Sequence, residues 1–165
     1  MVEKRWYALY TKSKSEKKAY KELVEKEIET YLPLEKRLKQ WSDRKKWVEV
    51  PFIRSYIFVK TTEFDLQKAL NTPGIVTVIR FSGEPAPVRE KEIKLIQSVL
   101  RSEEEFEVTA DTFGLGENVC VEHGTLKGLE GELVQHLNKY KVLVRIASIH
   151  QNILIRINPS YLKKV

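Results

Sequence analysis

Between Ser102 and Glu107 the chain packs four carboxylates into six residues, and the hydrophobic period differs on the two sides of this run. Upstream, stretches with a period near 3.6 alternate with stretches of period 2; downstream only the strand period survives. Such a chain is expected to fold as two units of different class. The reading is an α+β domain over 1–101, an acidic linker over 102–112, and a small β-barrel over 113–165. Adjacent like charges favour solvent, so the carboxylate run reads as a solvated segment and not as a catalytic pair.

In the first part, Arg5-Trp6-Tyr7-Ala8-Leu9-Tyr10-Thr11 is aromatic-rich and reads as a buried strand. Ser13 and Glu16 have capping-box spacing and predict a helix over about 15–29. Ala19, Tyr20, Leu23, Val24 and Ile28 form its apolar stripe, with Lys14, Lys17, Lys18 and Lys21 largely on the solvent side. Residues 31–38 and 47–50 flank a very polar hairpin tip, and Tyr56-Ile57-Phe58-Val59 predicts a central strand. A short helix over 63–71, a strand over 75–81, a loop over 83–87 and a helix over about 89–101 complete the domain. Beyond the linker, short strands are expected near 117–122, 129–137, 141–147, 150–157 and 160–164.

Composition excludes several classes of function. The single cysteine, Cys120, cannot form an intramolecular disulfide or a multi-cysteine zinc site. It lies beside Glu122 in a strand pattern, without a cation to activate it. His123, His136 and His150 have no metal-box spacing, so no metal, cofactor or catalytic residue is expected, and a metal-dependent nuclease is the least favoured reading. No apolar run approaches the roughly 20 residues of a membrane helix, and residues 1–6 lack the long apolar segment of a secretory signal. A soluble cytoplasmic monomer with no membrane contact is expected. The formal charge is +6, and its distribution is uneven: 14 basic and 9 acidic residues over 1–50, 8 and 10 over 51–112, 7 and 4 over 113–165. Basic ends flanking an acidic middle favour polyanion contact at particular faces, against the plainer reading of a solvated surface.

The glycines of Gly124-Thr125-Leu126-Lys127-Gly128-Leu129-Glu130-Gly131 lie between two strands, with no helix start to hold a phosphate. They suit tight turns or close backbone approach. With Gly116-Glu117 and Val119-x-Val121 before it, the block resembles the KOW motif, carried by Gly116, Gly124, Lys127, Gly128 and Gly131. Lys4-Arg5-Trp6-Tyr7-Ala8-Leu9-Tyr10, Pro51-Phe52-x-x-x-Tyr56-Ile57-Phe58-Val59 and Pro85-Ala86-Pro87-Val88 followed by a helix resemble the NusG N-terminal (NGN) domain, in order. The resemblance to the NusG family covers nearly the whole chain and implies an NGN-type antiparallel sheet with flanking helices before an SH3-like KOW barrel. Tyr31-Leu32-Pro33-Leu34, Gln40-Trp41-Ser42-Asp43-Arg44-Lys45-Lys46 and Tyr7-Ala8-Leu9-Tyr10-Thr11-Lys12 are similar to specialised, RfaH-like paralogues that antiterminate long operons such as those for surface polysaccharides. Where the family usually has Pro-Gly before the tyrosine of the central strand, this chain has Arg54-Ser55, which leaves the geometry of that turn open.

The resemblance implies a non-enzymatic transcription elongation and antitermination factor that binds RNA polymerase, bridges its cleft and suppresses pausing. By motif, Tyr10, Ile53, Tyr56 and Phe58 would line an apolar depression for the polymerase. Lys12 and Arg80, extended by Lys14 and Lys17, would meet the non-template DNA strand. The KOW unit would recruit Rho or a small-subunit ribosomal protein. Strand-rich Val142-Leu143-Val144 and Ile153–Ile157 predict that this unit has no helical alternative fold. The Trp41–Trp47 tip is left between DNA contact through Arg44, Lys45 and Lys46, docking through its tryptophans, and a solvated hairpin stapled by them. A housekeeping NusG factor and a KOW-containing ribosomal or RNA-binding protein are the competing functions.

Overall fold

The computed structural model describes residues 2–165, which divide into a first unit reaching Ile93 and a second from Lys94 to Val165. The first contains β1 (Arg5–Thr11), α1 (Glu16–Glu25), β2 (Glu29–Tyr31), β3 (Leu34–Gln40), β4 (Lys45–Pro51), β5 (Tyr56–Thr61), α2 (Leu66–Leu70), β6 (Ile75–Val78), β7 (Arg80–Phe81), β8 (Glu84–Pro85) and β9 (Pro87–Val88). Helix α3 (Glu90–Arg101) runs across the division. The main sheet has the order β2-β5-β1-β6, with β9 also paired to β1.

The β1–β5 register sets Leu9 opposite Ile57, Ala8 opposite Phe58 and Tyr10 opposite Tyr56. Opposed residues share a face and neighbours alternate. Tyr7, Leu9, Ile57 and Val59 therefore face one way, where they bury against Ala19 and Leu23 of α1, Leu66 and Ala69 of α2, and Ile75 and Val78 of β6. Each large side chain so buried contributes about 1.5–3 kcal/mol. Tyr10, Tyr56 and Phe58 face the other way. Lys26 fastens the helices, its ammonium donating to Thr72 Oγ1 at 2.9 Å and to the Lys68 carbonyl at 3.3 Å.

The capping box expected from Ser13 and Glu16 is not formed. Helix α1 begins at Glu16, and Ser15 at its N-cap makes no side-chain cap bond. The buried Glu16 carboxylate instead accepts the Ser55 N–H at 3.2 Å. Glu16, Ala19 and Leu23 are the buried positions of the helix, and Tyr20 and Val24, expected in its apolar stripe, are exposed and not core. The strand expected over 75–81 is interrupted at Ile79, whose N–H bonds the Ala8 carbonyl at 2.9 Å. The expected loop over 83–87 contributes short pairings instead, β8 to β7 and β9 to β1.

Ser55 occupies the left-handed region at φ 64°, held by its bond to Glu16 and by its carbonyl, which accepts the Thr11 N–H at 2.8 Å. The turn keeps a conformation suited to glycine although glycine is absent, at a cost of about 1 kcal/mol. Ser55→Gly is expected to raise stability by about 0.5–1 kcal/mol, read as a higher urea midpoint at unchanged slope.

The second unit is all-β apart from the end of α3 and two short 3₁₀ turns. Its strands are β10 (Phe106–Thr109), β11 (Glu117–Val121), β12 (Glu130–His136), β13 (Lys139–Ile146), β14 (Gln151–Ile155) and β15 (Leu162–Lys164), paired in the order β10-β14-β13-β12-β11-β15. The segment expected as linker, 102–112, thus holds a strand. Phe106 and Val108 alternate with Glu107 and Thr109 and pair with Ile155 and Ile153, while two of the carboxylates meet cations: Glu105 with Arg156 at 3.2 Å and Glu107 with Lys141 at 3.7 Å.

Residues 111–116 then close over the outer face of this sheet. Phe113 packs on Val134, Leu143 and Leu154. Arg145 donates to the Phe113 and Gly114 carbonyls at 3.3 and 3.2 Å and grips Glu132 through two bonds of 2.6 and 3.2 Å. Glu132 also accepts the Gly116 N–H at 3.1 Å. The Arg145 hydrogen bond, helped by this N–H, holds the Glu132 carboxyl below its usual pKa. A lowered folded-state pKa contributes stability above the unfolded value and loses it as pH falls through the folded one. Glu132→Gln is expected to cost about 1 kcal/mol at neutral pH. That difference should close as the pH is lowered below about 4 in denaturation series on both proteins.

Among the described residues, no helix is long and apolar enough to cross a membrane.

Candidate functional site

On the sheet face opposite the helix-covered core, the rings of Tyr10 and Tyr56 meet edge to face, centroids 5.8 Å apart at 74°. Tyr10 is 40% exposed and Tyr56 is half-buried. The pair arises because both tyrosines occupy directly opposed positions at the ends of β1 and β5. Phe58 lies on the same face but is fully buried, with Tyr31 stacked on it at 6.3 Å. Ile53 is also buried. Of the four residues expected to line a depression, two present surface and two do not. Tyr31, absent from the expectation, belongs beside them because β2 pairs Tyr31 with Phe58; no local pattern announces that pairing.

The four expected cations do not form one cluster. Lys12 and Lys14 are exposed at the turn between β1 and α1, where the Lys12 N–H bonds the Gly74 carbonyl at 2.9 Å. Lys17 is turned to the β3–β4 hairpin, its ammonium donating to the Glu49 carbonyl at 2.6 Å. Arg80 folds over its own turn and donates to the Gly83 carbonyl at 3.1 Å. The Lys12 N–H bonds the Gly74 carbonyl and the Ile79 N–H that of Ala8, so Arg80 follows a point several residues along this sheet edge from Lys12.

In the second unit the glycines are explained by backbone geometry. Gly124 and Gly128 have φ of 90° and 93°, and the Gly128 N–H closes the turn on the Val121 carbonyl at 2.8 Å. A Cβ on Gly116 would fall 2.5 Å from the Leu133 carbonyl oxygen, and one on Gly131 would fall 2.7 Å from that of Leu143. The Lys127 side chain is exposed. Val119, Leu133, Tyr140, Pro159 and Leu162 line an open, mostly apolar groove of about 270 Å³. At its rim Lys164 pairs with Glu117 at 2.8 Å, a bond that raises the lysine pKa. His123 packs edge-on against Tyr161, His136 against Phe113. Among the described residues no group of three or more His, Cys, Asp or Glu is arranged to hold a metal ion.

A mixed helix-and-sheet unit followed by an all-β unit turning on this glycine block defines the two-part architecture of an NGN–KOW protein. Residues 4–97 match the family model described as transcription termination factor NusG, and the chain belongs to the NusG family. No curated protein sequence matches it significantly. Among solved structures it is similar to NusG of Thermotoga maritima, from a study of domain interaction in that protein, at 18% identity over 98% of this chain and 97% of that one, with a TM-score of 0.59. It also aligns with the MjSpt4:Spt5 complex in conformation B, at 15% identity over 97% and 96% of the two chains and a TM-score of 0.33. The family is one of non-enzymatic transcription elongation factors whose members generally bind RNA polymerase.

Proposed function

We propose that the chain is a specialised antitermination factor that docks on RNA polymerase through the sheet face carrying Tyr10 and Tyr56, and acts at particular operons. The observation that carries the reading is this aromatic pair: two amphipathic rings held rigidly on adjacent central strands, with the apolar core closed beneath them. Aromatic side chains lose little conformational freedom on docking and dominate interface energetics when a partner excludes water around them.

A factor that binds the closed arrangement of a two-jawed machine better than the open one shifts the population toward the closed state by its difference in affinity. Suppression of pausing then follows from binding alone, with no bond made or broken. Lys12 and Lys14, exposed at one end of the sheet, supply the phosphate contacts to the non-template strand. Arg80 contributes from a separate point on the same sheet edge. The apolar groove of the second unit is the surface for its further partner, a small-subunit ribosomal protein or Rho.

Tyr10→Ala with Tyr56→Ala is expected to weaken binding to purified RNA polymerase about tenfold or more, measured by biolayer interferometry on the full chain; unchanged affinity in a folded double variant refutes the docking face. Lys12→Ala with Lys14→Ala is expected to reduce pause suppression on responsive templates more than polymerase affinity, with the difference fading as salt rises. Mapping polymerase-associated protein across a genome separates the operon-restricted factor, found at a few transcription units, from a housekeeping factor found at nearly all of them.

A further inference from the structure

Of the nine arginines in the chain, five form ion pairs with carboxylates, Arg44 lies over the Trp41 ring and Arg80 donates to the Gly83 carbonyl. Arg101 ends α3, where a cation meets the free carbonyls of the last turn. Arg54 has none of these. It is exposed, and among the described residues its side chain makes no ion pair, hydrogen bond or ring contact. The carboxylate bonded to its turn, that of Glu16, is buried and taken by the Ser55 N–H at 3.2 Å.

The backbone that carries Arg54 is fixed on both sides. Before it, Phe52 and Ile53 are buried, and the Phe52 N–H bonds the Pro33 carbonyl at 2.9 Å. After it, Ser55 is held at φ 64° by the Glu16 carboxylate and by the Thr11 N–H, which its carbonyl accepts at 2.8 Å. A loop anchored in this way presents one guanidinium at a set point and gives it nothing to bind within the chain. That point adjoins the aromatic pair. Tyr56 is two residues on, no more than about 8 Å away between Cα atoms, and Thr11, bonded to Ser55, directly follows Tyr10.

We propose that Arg54 is a specificity-determining contact of the docking face, pairing with a carboxylate on the polymerase surface that covers Tyr10 and Tyr56. The inference rests on the docking reading given above and names the chemistry that its partner must carry. A partner that excludes water from the two rings also removes water from the neighbouring guanidinium, and a charge desolvated without a counter-charge opposes docking. A carboxylate meets that need well, because the planar guanidinium donates two parallel hydrogen bonds to it. A phosphate would fit the same fork. However, Tyr10 and Tyr56 are engaged edge to face with each other and Tyr56 is half-buried, so they are not the open platforms on which the bases of a single strand stack. Selectivity follows from the charge: a surface with a basic side chain at that point is repelled, whereas two tyrosines alone accept any apolar surface of suitable shape.

The test measures binding of the full chain to core RNA polymerase free of nucleic acid, by biolayer interferometry across a salt series. Arg54→Gln should bind about tenfold more weakly at low salt, through faster dissociation, and Arg54→Glu about a hundredfold more weakly. Arg54→Lys, which keeps the charge and loses the fork, should fall between the parent and Arg54→Gln. Lys18→Gln, an equal loss of charge at an exposed position of α1, should stay within about twofold of the parent. All four variants should melt at the parent temperature, because neither side chain has a partner in the fold. Parental affinity for Arg54→Gln beside weakened binding by Tyr10→Ala with Tyr56→Ala would overturn the proposal and leave the docking face standing; parental affinity for both would overturn both. Equal losses in Arg54→Gln and Lys18→Gln, or a lowered melting temperature for Arg54→Gln, would also refute the assignment. So would a loss that emerges only when the polymerase carries DNA, which would give Arg54 to phosphate.

Discussion

The pairing of β1 with β5 is the constraint on which the first unit depends. Its register decides which side chains go to the helices and which to the opposite face, and a slip of one residue would exchange the two sets. Leu9 and Ile57 enter the helix-covered core only because Tyr10 and Tyr56 do not. The ladder is locked at its end by contacts that are not sheet pairs: Thr11 bonds the Ser55 carbonyl, Lys12 bonds the Gly74 carbonyl, and the buried Glu16 carboxylate takes the Ser55 N–H. Strained Ser55 is thus tolerated at the point where register must be fixed, which also brings the two tyrosines opposite each other.

The second unit solves a different problem. A short all-β segment has limited apolar area, and each face of its sheet needs a cover. One cover is Phe113, carried by a segment that would otherwise be a tether. Arg145 makes the segment part of the unit by bonding two of its carbonyls while holding Glu132, which in turn fixes Gly116. Gly116 must be glycine for the same reason: the strap passes so close to Leu133 that a methyl group would meet its carbonyl oxygen. Charge, turn geometry and close approach reinforce one another within a few residues.

Those same features divide what could be read from sequence from what could not. The continuous apolar or aromatic runs in β1, β5, β13 and β14 and the period of 3.6 in α3 locate their elements, because burial is written into consecutive residues. The glycine turns were equally readable, since a dense cluster of glycines between strands has few other physical uses. Strand β10 was hidden because its alternation is only four residues long and follows a run of carboxylates, whose partners Arg156 and Lys141 are distant in sequence. The Ser13–Glu16 spacing suggested a local cap, but a long-range acceptor need at Ser55 won the glutamate. Phe58 fits an exposed apolar site by type; its burial depends on Tyr31 arriving from β2, and Arg80 follows a point several residues along the sheet edge from Lys12. Non-local pairing decided each of these differences.

The hairpin follows the logic in reverse. In the two units, several carboxylates on packed or paired surfaces have partners: Glu16, Glu132, Glu105 and Glu107 are each met by a donor or a cation. In the hairpin Leu38 opposes Trp47 and Lys36 opposes Glu49 on one face, and the other keeps two lysines opposed. A like-charge pair left standing on a two-stranded ribbon is locally inconsistent, and such inconsistencies concentrate where a surface serves something other than stability.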